Sequence, residues 1–157
     1  MSCDAVAFSA MLWLASTSPV AAQGPAVAVA SAPHSVAGEP LFFNIVRRAG
    51  TLKSDAEAWG RSSLDGDTAG LAGFGAFKAA LGELAAMDMK GHVLLAARGT
   101  DGDLKCILKG ISQDLPVKFH DLEVAATPKA REQAIRELTY LLNDNVEVIT
   151  APPTPAA

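Results

Sequence analysis

Three lysines and one histidine have the spacing in this chain that best suits chemistry: Lys105, Lys109, Lys118 and His120. Lys105 and Lys109 project from one side of the run Leu104–Ile111 if that run is a strand, and Lys118, two residues before His120, aligns with them. A sheet face lined in this way would attract an acidic small ligand or a partner protein. Cys106 alternates with Leu104 and Leu108, which turns it toward the core and away from the lysines. A thiol so placed is inert, and a Cys106–His120 nucleophilic pair requires the fold to bring two distant residues together.

No other side-chain pattern survives inspection. His34, His92 and His120 are scattered, and no paired cysteines accompany them, so no zinc site is expected. Asp65-Gly66-Asp67 and Asp101-Gly102-Asp103 resemble fragments of calcium loops but lack the alternating ligands and the closing glutamate. Asp67 suits a helix cap, and Asp101-Gly102 suits a turn. The segment Gly73-Phe74-Gly75-Ala76-Phe77 lacks the basic start and strand setting of an RNA-reading core, so its phenylalanines read as helix core. Nucleotide-loop, serine-hydrolase and similar motifs are absent. The expectation is no metal, no cofactor and no catalytic site.

The elements that position these residues follow from periodicity. Leu41–Val46 reads as a short buried strand. Ser54-x-x-Glu57 is a capping-box signature ahead of a short helix through Trp59, and 61–73 is a loop rich in Ser, Asp and Gly. Phe74, Phe77, Leu81 and Leu84 mark one face of a helix ending near Gly91. His92–Ala97 and Leu104–Ile111 flank an Asp-Gly turn, which reads as a β-hairpin. Thr127-Pro128 opens a last helix with an apolar stripe of Ala130, Ala134, Leu138 and Leu141, with Ile135 and Leu142 beside it. Asn143-Asp144-Asn145 ends that helix, and Val146–Ile149 closes as a strand. The order strand, helix, strand, strand, helix, strand predicts an α+β two-layer sandwich of ferredoxin-like topology, with both helices on one sheet face.

The sequence has 157 residues, half of them apolar, many of these alanine, with a formal charge of −4. The acidic balance argues against nucleic acid or anionic lipid as partners. Ala5–Ala15 is an apolar run of signal-peptide length, too short to span a bilayer. Val20 and Ala22 sit correctly for cleavage before Gln23, although no Lys or Arg precedes the run. The expected organisation is a signal peptide over 1–22, a flexible Ala/Pro-rich leader over 23–39, a single domain over 40–150 and a Pro-rich tail over 151–157. Cleavage would remove Cys3 and leave Cys106 as the sole thiol, with no stable membrane insertion. The reading that results is a periplasmic or secreted binding or protein-interaction module, not an enzyme. An assembly subunit, or a small enzyme built on Cys106 and His120, is the alternative.

Overall fold

The computed structural model describes residues 35–99 and 102–151, and these residues hold helices and no strand. The α+β, ferredoxin-like expectation is therefore wrong. A 3-10 turn, Val36–Gly38, leads into α1 (Pro40–Gly60), α2 (Phe74–Arg98), α3 (Gly102–Glu123) and α4 (Pro128–Thr150). A second 3-10 turn, Thr68–Gly70, interrupts the α1–α2 connection. The signal peptide over 1–22, the leader through 34 and the tail from 152 lie outside the described residues. The last leader residues do not run free, because Val36 is buried in the core.

Each helix turns one stripe inward at steps of three and four residues. On α1 the stripe is Phe42, Ile45, Ala49, Leu52, Ala56 and Trp59, and on α2 it is Phe77, Leu81, Leu84, Asp88, Gly91 and Leu95. On α3 it is Leu104, Leu108, Ile111, Leu115, Phe119 and Leu122. Leu138, Leu142, Asn145 and Ile149 continue it on α4. This spacing keeps an apolar seam facing the bundle axis over the whole length of a helix.

The four runs expected as strands are parts of these helices. Leu41–Val46 opens α1, His92–Ala97 lies in the last turns of α2, Leu104–Ile111 opens α3, and Val146–Ile149 lies in the last turns of α4. The turn expected between the second and third runs centres on residues 100 and 101, which lie outside the described residues, and the runs on either side of it belong to two helices. Gly99 ends α2 in the left-handed conformation (φ 68°) that glycine adopts without strain. Pro116 sits inside α3 on its exposed side. It removes one backbone hydrogen bond, so tertiary packing holds this helix against local preference.

Sequential helices pack side by side and antiparallel, and α4 returns to lie along α1, closing an up-and-down ring. The α2–α3 and α1–α4 interfaces are extensive, and α1–α2 is the slightest of the four. At one end Arg98 of α2 donates two hydrogen bonds of 2.7 Å to Glu39, the N-cap residue of α1. That pairing holds the Glu39 carboxyl below its usual range, the hydrogen bond acting more than the charge. At the other end Trp59, Phe74, Phe77 and Phe119 form an aromatic cluster, with Trp59 and Phe77 centroids 4.4 Å apart. The expected cap at Thr127 is present: its hydroxyl oxygen accepts from Ala130 N at 3.2 Å, with Pro128 as the first helical residue. Among the described residues no helix is long and apolar enough to cross a membrane.

Candidate functional site

The proposed basic face disperses once α3 is a helix. Lys105, Lys109 and His120 fall toward the α2 side, whereas Lys118 falls on the α4 side. There Lys118 Nζ donates to Glu137 Oε2 at 2.7 Å, and Asp121 lies 3.9 Å away. The Glu137 hydrogen bond, then its charge, raises the Lys118 ammonium, and the same contact lowers the Glu137 carboxyl. His120 is exposed, with Nδ1 3.8 Å from Glu123 Oε2. Cys106 and His120 are fourteen residues apart on one helix, about 21 Å along its axis, so they form no catalytic pair. No free cysteine occurs among the described residues. Nor does any cluster of three or more His, Cys, Asp or Glu side chains there have metal-holding geometry.

Among the concavities of the described residues, two carry more than one cationic side chain. The larger, about 970 Å³, spreads across the outer side of α4 and borders α1 and α3, with Tyr140 exposed upon it. Three of its four cations are matched locally, Lys118 by Glu137, Lys53 by Glu57 at 3.8 Å, and Arg136 by Glu132, whereas Arg61 makes no ion pair among the described residues. It opens broadly over a convex helix and presents no excess of either charge. Its lining is largely apolar and its charges balance, so it gives no preference for an acidic over a basic ligand.

The smaller concavity, about 410 Å³, is a groove between α1 and α2, where helix packing is slightest. The α2 wall is built from Ala76 and Ala80, with Ala72 and Gly73 leading into it, and these small side chains leave the space open. The floor is Leu52, Trp59 and Phe77. Trp59 is fixed by an Nε1 hydrogen bond of 2.9 Å to Ala72 O, which also anchors the end of the α1–α2 connection. The other end of that connection is held by Arg131 of α4, whose Nη1 donates to Leu64 O at 2.5 Å.

Along the α1 wall, Arg47, Thr51 and Asp55 stand one turn apart, and Arg48 lies beside Arg47. Arg48 Nη1 crosses to Glu83 Oε2 on α2 at 2.6 Å. Arg47 is exposed and makes no side-chain ion pair among the described residues. Its backbone carbonyl accepts from the Thr51 hydroxyl at 3.0 Å, and its guanidinium has no hydrogen-bond or ion-pair partner among the described residues. Gly73 caps α2 without a side-chain hydrogen bond, and no acid occupies the first turn of that helix. The only acid in the groove is Asp55, near this helix start, about 12 Å along α1 from Arg47.

Sequence reasoning missed this groove because no motif marks it. Its signal is indirect: Arg47-Arg48 follows two apolar positions of an amphipathic run, and alanines recur at 72, 76 and 80. Comparison with protein-family models, curated proteins and solved structures finds no match to this chain.

Proposed function

We propose that this protein is a non-enzymatic binding module acting outside the cytoplasm, and that the α1–α2 groove holds a small amphipathic acid. The export reading is supported by the apolar run Ala5–Ala15 followed by Val20-Ala21-Ala22. The binding reading is carried by one observation: an uncommitted guanidinium, Arg47, at the rim of a groove floored by Leu52, Trp59 and Phe77. A guanidinium selects carboxylate or phosphate and stays charged at every physiological pH, while the apolar floor accepts a hydrocarbon or aryl body.

Trp59 reports occupancy directly. In a Trp13→Phe background it is the only tryptophan, and its fluorescence should shift saturably as octanoate is added. Octylamine, which has the same tail and the opposite charge, should bind at least tenfold more weakly. Arg47→Glu should weaken octanoate binding by about tenfold or more, the scale of one charge-assisted hydrogen bond. Equal binding of amine and acid, or an Arg47→Glu protein that binds octanoate unchanged, would overturn the assignment.

A further inference from the structure

Two polar side chains occupy the axis of the bundle, one from α2 and one from α4. Asp88 and Asn145 are each 0% exposed and stand at positions where every other helix turn presents an apolar residue. Asn145 Nδ2 donates to Asp88 Oδ2 at 2.8 Å. The remaining oxygens, Asp88 Oδ1 and Asn145 Oδ1, have no hydrogen-bond partner. An ionised carboxylate and an amide oxygen are both acceptors, so the pair is one donor short. Orphaned acceptors at this depth are costly, and a buried anion without a cation is more so.

No charged side chain compensates. The packing that sets Gly91 against Phe42, Ile45 and Leu108 places Asp88, one turn earlier, level with Ala49 on α1 and with Ile111 and Ser112 on α3. The Ser112 hydroxyl is already given to Lys109 O at 2.7 Å. The ionisable residues of the same stretch are Arg48 of α1, Lys90 and His92 of α2, Lys109 of α3, and Asp144 and Glu147 of α4. None of them is buried, and none shifts the Asp88 carboxyl.

We propose that Asp88 is protonated in the native protein at neutral pH, and that this proton joins it to Asn145 in a two-bond acid–amide ring that latches α2 to α4. A proton on Oδ1 supplies the missing donor to Asn145 Oδ1 and removes the buried charge, so both orphaned oxygens are answered at once. Burial pushes the Asp88 carboxyl up to about 8, against a smaller downward effect of the Asn145 hydrogen bond. The latch is thus closed in acidic and neutral surroundings and opens in alkaline ones.

The sign follows from linkage. Between the unfolded carboxyl value of about 4 and the native value of about 8, the native state holds one proton more than the unfolded state. Stability from the latch is therefore complete below about pH 4, declines as pH rises, and is gone above about pH 8. The paired carboxyls Glu39 and Glu137 act in the opposite direction, but only near and below pH 4.5. Asp144 is raised by burial and by Glu147, so it acts in the same direction as Asp88 and serves as the control.

Urea unfolding of the full chain between pH 5 and 8 tests the latch. The unfolding equilibrium constant should rise about tenfold per pH unit. Asp88→Asn reproduces both bonds without a titrating proton, so it should remove this slope and exceed the wild type in stability at pH 8.5. Asp144→Asn should leave the slope in place. Infrared spectra of the unmodified protein at pH 6.5 should show the carbonyl stretch of one protonated carboxyl, absent from Asp88→Asn. An Asp88→Asn protein with the wild-type slope, or wild-type protein with no protonated carboxyl at pH 6.5, would overturn the proposal. The infrared measurement decides the matter even if the variant fails to fold.

Discussion

Leu138→Asp should abolish the cooperative thermal transition. Leu138 lies on the inward stripe of α4 with no exposure, bracketed by Ile135 and Leu142. Aspartate there forfeits the burial of a leucine, about 2 kcal/mol, and must either bring a charge into the core or fold protonated. The combined loss reaches the 5–15 kcal/mol by which domains of this size are stable. Unlike Asp88, the new acid has no placed amide to receive its proton. Circular dichroism should show a featureless decline with temperature. A normal sigmoidal melt would mean that α4 turns another face to the axis.

Gly91→Leu should lower stability by at least about 3 kcal/mol, and the ordering of glycine variants around it is the sharper test. Gly91 lies where α1, α2 and α3 meet, and a Cβ there would stand 3.1 Å from Leu108 Cδ1 and 3.2 Å from Phe42 Cε1. One methyl asks both neighbours to yield by a few tenths of an ångström, a strain that the better helix propensity of alanine, about 1 kcal/mol, largely offsets. Gly91→Ala should therefore be close to neutral, whereas the larger side chain has nowhere to go. Gly82, in the same helix, meets nothing within 4 Å, so Gly82→Ala should stabilise by about 0.5–1 kcal/mol. Urea midpoints rank the three variants. Equal effects at Gly82 and Gly91 would show that the three helices do not converge there.

The sequence was legible at several points where local chemistry settles the outcome, though not at Ser54-x-x-Glu57, which lies inside α1 with the Ser54 hydroxyl donating back to Gly50 O. The Thr127-Pro128 helix start, the cap at Asp67, the loop between α1 and α2 and the face made by Phe77, Leu81 and Leu84 are found where their residues predict. It misled where a short apolar run satisfies two periods at once. Leu104, Cys106 and Leu108 alternate as a strand would, yet Leu104, Leu108 and Ile111 also keep helical spacing, and only the longer window to Leu122 separates the two. Gly91 looks like a terminus that divides His92–Ala97 from its own helix, but it is a site of close packing.

The same reliance on local signals hid the candidate sites. Met87-Asp88-Met89-Lys90 reads as a solvated surface until Asp88 is seen four residues after Leu84 and three before Gly91, in step with the buried stripe. Asn145 has the look of a helix stop, although it follows Leu142 by three residues and precedes Ile149 by four. An acid and an amide in step with two inward stripes were the available sign. The groove offered less, since it arises from side chains too small to fill the space between two helices.

The return of α4 along α1 has a topological consequence. The turn Val36–Gly38 packs against both helices, so the first and last described elements share one end of the bundle, and Val36 and Ile149 belong to one core. The α1–α4 seam is among the most extensive in the ring and is the one no loop bridges. Ring order is therefore indifferent to where the polypeptide starts. A circularly permuted chain that begins at Thr127, with a linker replacing the Val124–Ala126 connection by one between the end of α4 and the Val36–Gly38 turn, should keep the ring order of the four helices, with the groove and the Asp88–Asn145 contact.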